Sequence, residues 1–258
     1  MSQADKTNLL LPKELRLNGR RVLVTGAASG IGRATAICLA ELGADLVLAD
    51  RDSVAGVCAE VEALGSKAAA LQGDLTDEAF LRTLIEHGPY FSFANIAGVF
   101  RGLESQSAEE AFDFVMHINL RAPMVLANAL IDQMGEQGGG YIVMVGSSAG
   151  RAGGGSLGTP IEYATYATSK GGLHTLVRAL SRRAAKKNVL VNGVAPGVVR
   201  TALLDSVSPS LNTDPNVSPL GRAADARELA WPIALLCSPA ASFMAGAIVD
   251  VNGGYFVG

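Results

Sequence analysis

Seven short runs rich in Val, Ile, Leu and Ala recur along the chain, separated by longer segments of helical periodicity, and this alternation leaves few folds open. The runs are 21–25, 45–49, 68–72, 91–95, 141–146, 189–194 and 247–251. They are apolar almost throughout rather than alternating with polar residues, as strands are when both faces of a sheet are covered. Parallel neighbours need a long crossover, usually a helix. The rhythm therefore predicts an α/β fold: a doubly wound, mostly parallel seven-stranded sheet with helices on both faces. At 258 residues one such domain is expected, over 19–258 after an N-terminal arm at 1–18, since no repeat or Pro/Ser-rich linker divides the chain.

Helix signals fall between the runs. The segment 31–42 precedes Gly43, which supplies a left-handed C-terminal cap. Ser107 with Glu110 forms a capping box that opens a long helix towards Met134. Further helices are expected over 163–187 and, after a start signal at Asp225 and Glu228, over 226–237, with Pro232 in its first turns. Two stretches read as irregular: 150–162, with consecutive glycines at Gly153 to Gly155, and 198–221, with Pro209, Pro215 and Pro219. Long loops in a compact domain are usually functional, so 198–221 is expected to form a substrate lid.

The first run leads into Thr25-Gly26-Ala27-Ala28-Ser29-Gly30-Ile31-Gly32 and then into a helix. Glycines let the backbone turn tightly and approach a pyrophosphate, whose charge is favoured at a helix N-terminus. The spacing is G-x-x-x-G-x-G rather than G-x-G-x-x-G, and such a turn also occurs for purely structural reasons. Asp50 ends the second strand 20 residues after Gly30, where a carboxylate can accept both ribose hydroxyls of an adenosine. Together these elements point to a dinucleotide. Tyr166 and Lys170 stand i, i+4 on a predicted helix and share one face. A tyrosine with a free pKa of about 10 is a poor base at neutral pH, and a nearby ammonium favours its phenolate. The pair can serve as a general acid and base, although Tyr and Lys also fall four apart by chance.

Charged residues make up 17% of the chain, against roughly 25% in ordinary soluble proteins, so part of the surface is expected to be covered by another subunit. Lys+Arg at 21 against Asp+Glu at 24 leaves no basic excess to neutralise a phosphate backbone, which argues against a nucleic-acid partner. Cys38, Cys58 and Cys237 match no zinc or redox spacing and read as small buried hydrophobes. His87, His117 and His174 show no ligand spacing either, so no metal is expected. His174 continues the Tyr166 and Lys170 stripe, where packing is the expected role. The stretch 229–249 holds 21 residues without a charge, but Pro232, Ser238, Pro239, Ser242 and Gly246 interrupt it. A buried helix, a turn and a strand explain it better than a membrane span. The first 18 residues hold no apolar run long enough for a secretory signal, and a cytoplasmic protein with no membrane partner is expected.

In order along the chain, these motifs resemble the short-chain dehydrogenase/reductase family over nearly all of 20–254. Residues 25–32 match T-G-x-x-x-G-x-G, Asp74 in Gly-Asp-Leu matches the acid near the adenine, and Asn95-Ile96-Ala97-Gly98 resembles N-N-A-G. Asn119 falls on the family's helix asparagine, Ser148 on its catalytic serine, and 166–170 on Y-x-x-x-K. Residues 196–201 match P-G-x-x-x-T, and Asn252-Gly253-Gly254 resembles D-G-G. The resemblance implies a Rossmann fold and an oxidoreductase that passes hydride to or from a nicotinamide while Tyr166 exchanges a proton with the substrate. Lys170 would lower the tyrosine's pKa and hold the nicotinamide ribose, Ser148 would bond the reacting oxygen, and Asn119 would hold a water on the proton path. Gly26, Ser29, Gly30, Ile31 and Gly32 would cradle the pyrophosphate, with Asp50 and Arg51 at the ribose and Asp74 and Leu75 at the adenine. Asn95, Ala97 and Gly98 would floor the groove, and Pro196, Gly197, Val199 and Thr201 would hold the carboxamide.

Three departures stand out. Ile96 replaces the second asparagine of N-N-A-G; Ser148 lies 18 residues before Tyr166, about five more than the family usually has; and 74–95 is short, so its helix should be truncated. Tyr163, Arg151, Glu162, Leu203 and Leu204 are expected at the pocket or its lid. NAD is favoured over NADP because Asp50 would oppose a 2′-phosphate and Ser29 is neutral, while Arg51 leaves some tolerance. The expected substrate is a small secondary alcohol or ketone of polyol, sugar or hydroxy-acid type. A 3-oxoacyl-thioester reductase is the alternative within the family, and a non-catalytic dinucleotide sensor or a methyltransferase outside it. A homotetramer or homodimer is expected, because family members commonly pair the helices over 108–134 and 163–187 between subunits.

Overall fold

The computed structural model describes residues 11–100, 107–153 and 161–258. Strands β1 (Arg21–Thr25), β2 (Asp45–Asp50), β3 (Ala68–Gln72), β4 (Ser92–Asn95), β5 (Gly140–Val145) and β6 (Val189–Pro196) follow in chain order. A pair of two-residue strands, β7 (Val199–Arg200) and β8 (Ala224–Asp225), precedes β9 (Ile248–Val251). The main sheet has the order β3-β2-β1-β4-β5-β6-β9, with every neighbouring pair parallel. From β1 the chain first builds outward through β2 and β3, then returns to lay β4 on the other side. That reversal opens a crevice beyond the carboxyl ends of β1 and β4, where Thr25 and Asn95 are partners.

The helices are α1 (Gly30–Glu41), α2 (Ala55–Ala63), α3 (Glu78–Glu86), α4 (Ala108–Met116), α5 (Ala122–Glu136), α6 (Ala149–Ala152), α7 (Ile161–Ala185), α8 (Ala202–Val207) and α9 (Ala226–Leu236). Successive strand residues face opposite ways. Val22 and Val24 therefore pack with Leu39 of α1 and Leu229 and Ile233 of α9, while Leu23 packs with Phe93, Leu126 and Leu130 of α5, and Leu173 and Val177 of α7. These side chains are buried, each worth roughly 1.5–3 kcal/mol of transfer free energy.

Local signals set the ends. Gly43, at φ +89°, turns the chain out of α1. Asp77 caps α3 by accepting from the Ala79 N–H at 2.8 Å, and the Ser107 and Glu110 capping box opens α4. At nine residues, α3 is as short as the spacing implied. Two expectations are corrected. The single helix running to Met134 is instead α4 and α5 joined by a π-helical turn at His117–Arg121, which accommodates the buried Asn119. The stretch 198–221 is not irregular throughout: β7 pairs with β8, Thr201 caps α8 and a 3₁₀ turn follows at Pro209–Asn212. As expected, 229–249 forms the rest of α9, a 3₁₀ turn at Pro239–Ala241 and the start of β9. Among the described residues, Ala108–Glu136 is long and apolar enough to cross a membrane, and half of its apolar window is buried in the fold as a core helix is.

Candidate active site

A trench of about 260 Å³ runs along the crevice. Gly26, Ser29, Gly30, Ile31 and Gly32 line it, followed by Asp50 and Arg51, then Asp74 and Leu75, with Ala97 and Gly98 opposite. The glycine turn is backbone packed on backbone: a Cβ at Gly32 would lie 1.8 Å from the Gly26 carbonyl oxygen, and one at Gly26 would lie 2.6 Å from the Ala97 nitrogen. Gly26 and Gly30 also have φ of +72° and +51°. Ser29 occupies the N-cap position of α1 without a side-chain capping bond, so the first amides of a 12-residue helix face the trench. Such amides favour an anion there. The residues fit a pyrophosphate.

Asp50 ties the turn to the end of β2. One carboxylate oxygen accepts from the Ala28 N–H at 2.9 Å and the other from the Asp52 N–H at 3.0 Å. Since a carboxylate offers about four acceptor sites, each oxygen keeps capacity for a ribose hydroxyl. Asp74 accepts from the Thr76 N–H and hydroxyl, both at 2.8 Å, which fixes its carboxylate at the trench wall. Asn95 lines neither the trench nor the cavity beyond it. It is buried, takes a 3.3 Å bond from the Thr25 hydroxyl, and has an amide nitrogen with no partner among the described residues. Ile96 takes the exposed place instead.

The trench shares Ile31, Ile96, Gly98, Thr201 and Leu203 with a second cavity of about 570 Å³. Ser147, Ser148, Tyr166 and Lys170 line that cavity, as do Pro196, Gly197 and Val199. Lys170 is buried, and its ammonium donates to the Val145 carbonyl at 2.9 Å while standing 5.8 Å from the centre of the Tyr166 ring. Asn119 braces the floor: its Oδ1 accepts from the Val99 N–H and its amide donates to the Val99 carbonyl, each at 2.8 Å, and to the Ser169 hydroxyl at 2.9 Å. Burial dominates both members of the acid and base pair. It pushes the Tyr166 phenol up to about 12 against a hydrogen bond from Ser147, and pulls the Lys170 ammonium down to about 8. Desolvation thus outweighs the lowering that Ser147 brings, Tyr163 nearby adds to the rise, and a protonated phenol is the resting form.

The serine hydroxyl that draws the Tyr166 pKa down is that of Ser147, the residue before the one the motif spacing selects. Ser147 Oγ also accepts from the Ala149 N–H at 3.1 Å, and its own N–H points to His174 Nε2 at 3.4 Å. Ser148 is anchored through its backbone, its N–H donating to the Pro196 carbonyl at 2.8 Å. With two adjacent serines and an insertion before the tyrosine, spacing alone carries no signal that separates them. His174 is a packing residue, buried under the end of β5 and held neutral because burial and nearby Arg151, Arg178 and Lys170 pull its pKa down to about 4.

Among the expected pocket residues, Tyr163, Leu203 and Leu204 line the cavity. Arg151 does not: it turns to β9, donating to the Ile248 carbonyl at 3.0 Å and pairing with Asp250 at 3.1 Å. The Glu162 side chain lies outside the described residues. Sequence reasoning missed Phe100, whose ring lies 5.1 Å from that of Tyr166 and 5.3 Å from that of Tyr163. It also missed Tyr255, while Leu211, Asp214 and Val217 lie in the stretch 198–221 that was expected as a lid without being singled out. The three cysteines are free thiols, and no group of metal-ligating side chains occurs among the described residues.

Residues 26–256 match a family described as Enoyl-(Acyl carrier protein) reductase. The chain is 35% identical to galactitol 2-dehydrogenase (L-tagatose-forming) of Cereibacter sphaeroides, over 94% of this chain and 97% of that protein. It is 33% identical to 3-oxoacyl-[acyl-carrier-protein] reductase of Vibrio cholerae, over 94% of this chain and all of that one. Among solved structures, a 7 alpha-hydroxysteroid dehydrogenase complexed with NADH and 7-oxo glycochenodeoxycholic acid superposes with a TM-score of 0.84 at 31% identity, covering 94% of this chain and 96% of that one. On this likeness, which runs the length of the sheet and through both ends of the trench, the chain belongs to the short-chain dehydrogenase/reductase family, oxidoreductases that act on CH–OH groups with a nicotinamide dinucleotide.

Proposed function

We propose that this protein interconverts a secondary alcohol and its ketone with NAD(H), with Tyr166 as the proton-transfer group. The observation that carries the reading is the continuity of the two cavities: Tyr166, Lys170 and the serine pair line the far side of a trench whose near side is the glycine turn and Asp50. When bound, the dinucleotide supplies or accepts the hydride. The turn from Gly26 to Gly32 would hold its pyrophosphate, Asp50 its adenosine ribose, and Gly197, Val199 and Thr201 its carboxamide. In reduction, the Tyr166 phenol gives its proton to the carbonyl oxygen while Ser147 donates a hydrogen bond to the same atom. Lys170 stabilises the phenolate left behind, and Asn119 fixes the floor on which a water can relay the replacement proton.

Preference for NAD rests on Asp50, whose carboxylate would face a 2′-phosphate at contact distance. Exposed Arg51 beside it moderates that preference. The protein acts as a cytoplasmic homo-oligomer on a small molecule; the support for association is a low charged fraction and the exposed Trp231, Leu235 and Phe243. The reading is tested by following reduced-cofactor absorbance with NAD and NADP on wild type and Tyr166→Phe. The variant should bind cofactor normally and lose at least about 100-fold in rate. A loss of less than tenfold overturns the assignment, and equal kcat/KM for the two cofactors overturns the preference.

A further inference from the structure

The cavity that holds Tyr166 has walls poorly suited to the polyol, sugar or hydroxy acid expected from sequence. Phe100, Leu203, Leu204, Val207, Leu211 and Val217 form an apolar wall, joined by the rings of Tyr163 and Tyr255. Phe100 and Tyr163 meet nearly edge to face, with rings 75° apart, and Phe100 also leans on Tyr166, so the aromatic wall begins beside the reacting hydroxyl. Several polar side chains in the lining are already engaged. Thr201 caps α8 by accepting from the Leu204 N–H at 3.3 Å, Ser208 donates to the Val207 carbonyl at 2.7 Å, and Asp214 accepts from the Asn216 N–H at 2.8 Å. A substrate with a hydroxyl on every carbon would exchange water for few partners here, which is costly.

Charge narrows the class further. Among the described lining residues, Lys170 is the one cation and Asp214 the one carboxylate. The lysine ammonium is buried, held by the Val145 carbonyl and 5.8 Å from the Tyr166 ring centre, so its charge serves the proton-transfer end of the cavity. Among the described lining residues, a carboxylate or phosphate on the substrate would meet Asp214 and find no arginine. Size follows from volume: at about 30 Å³ per water-sized group, a cavity of about 570 Å³ has room for the nicotinamide end of the cofactor at Gly197, Val199 and Thr201 and, beside it, for a body larger than a single six-membered ring.

Building on the alcohol-and-ketone reading above, we infer that the substrate class is an uncharged, predominantly hydrocarbon ketone or secondary alcohol of fused-ring size. Its body lies along the Phe100 and Tyr163 wall and its carbonyl reaches Tyr166 and Ser147. In the reducing direction a hydride adds to the carbonyl carbon and a proton from Tyr166 adds to the oxygen, leaving the alcohol and the oxidised cofactor.

The test is the relative kcat/KM, with NADH, of four ketones: 2-decalone, cyclohexanone, 4-oxocyclohexanecarboxylate and a six-carbon ketose. Each additional buried methylene should contribute about fourfold. Even with imperfect burial, 2-decalone should exceed cyclohexanone at least tenfold, and exceed the carboxylate and the ketose at least 100-fold. Asp214→Asn should narrow the gap between the carboxylate and cyclohexanone about fivefold, and Leu211→Gln should shrink the advantage of 2-decalone over cyclohexanone. If the ketose or the carboxylate is the better substrate and its turnover depends on Tyr166, the substrate class is overturned while the reaction stands. If no ketone is reduced by protein that binds NADH, the reaction reading fails and this inference falls with it.

Discussion

Replacing each of the two adjacent serines by alanine separates two placements of one catalytic hydrogen bond. Both residues are 8% exposed, so burial does not distinguish them; their partners do. The Ser147 hydroxyl acts on Tyr166, drawing its pKa down against burial, and accepts from the Ala149 N–H at 3.1 Å, which leaves its own proton free to donate. The Ser148 anchor is a backbone bond that alanine retains. Loss of one preorganised donor to an oxygen that gains charge costs about 10²–10³ in kcat, or roughly 2.7–4 kcal/mol. Ser147→Ala should therefore fall by that factor, and Ser148→Ala by less than about threefold. The alanine at 147 also strands the buried Ala149 N–H, at about 1–3 kcal/mol. For a chain of this size that lowers Tm by several degrees and leaves the protein folded at 25 °C. Steady-state rates from reduced-cofactor absorbance, with cofactor affinity from fluorescence titration as the control, decide the case. A large loss in Ser148→Ala with a near-normal Ser147→Ala would refute the reasoning.

Gly32→Ala should abolish dinucleotide binding and destabilise the fold, because its Cβ would sit 1.8 Å from a backbone oxygen that no side-chain rotation can move; calorimetric titration with NADH and a melting curve check both effects. His174 makes stability pH-dependent: its folded pKa of about 4 lies below the ordinary 6.5, so the unfolded chain takes up the proton first. The contribution is intact above pH 6.5 and is lost as pH falls towards 4, amounting to about 2 kcal/mol by pH 5. Urea midpoints at pH 7 and pH 5 should show a drop of that order in wild type and a smaller one in His174→Gln; equal drops would assign the effect elsewhere.

The sheet was legible in the sequence because buried parallel strands leave a mark that does not depend on distant partners. β1 and β3 coincide with their expected ranges, and the other five strands of the main sheet shift by one or two residues at one end or, for β5, by one at both. The glycine turn and the Tyr166 and Lys170 pair were legible for a similar reason, since each is a short-range pattern. What escaped is set by long-range contact. The π turn carries no compositional signal; Asn119 is tied to Val99 and Ser169, 20 and 50 positions away. Arg151 went to Asp250, a partner 99 positions on, rather than to the pocket. Asn95 matched a motif letter, yet its strand register with Thr25 turned it inward.

The meeting of α6 with α7 bears on how the segment between serine and tyrosine can change. A Cβ at Gly150 would fall 2.7 Å from both the Gly171 nitrogen and the Lys170 carbonyl carbon, so the two main chains are in direct touch just before the glycine-rich insertion. Gly153, with φ +74°, then ends α6. The clasp ties the reacting groups to one frame: the serines are fixed upstream of it, and the tyrosine rides on the helix that it grips. The spacing of serine and tyrosine is thereby set by a main-chain contact between residue 150 and residues 170–171, not by the number of residues that separate them along the chain.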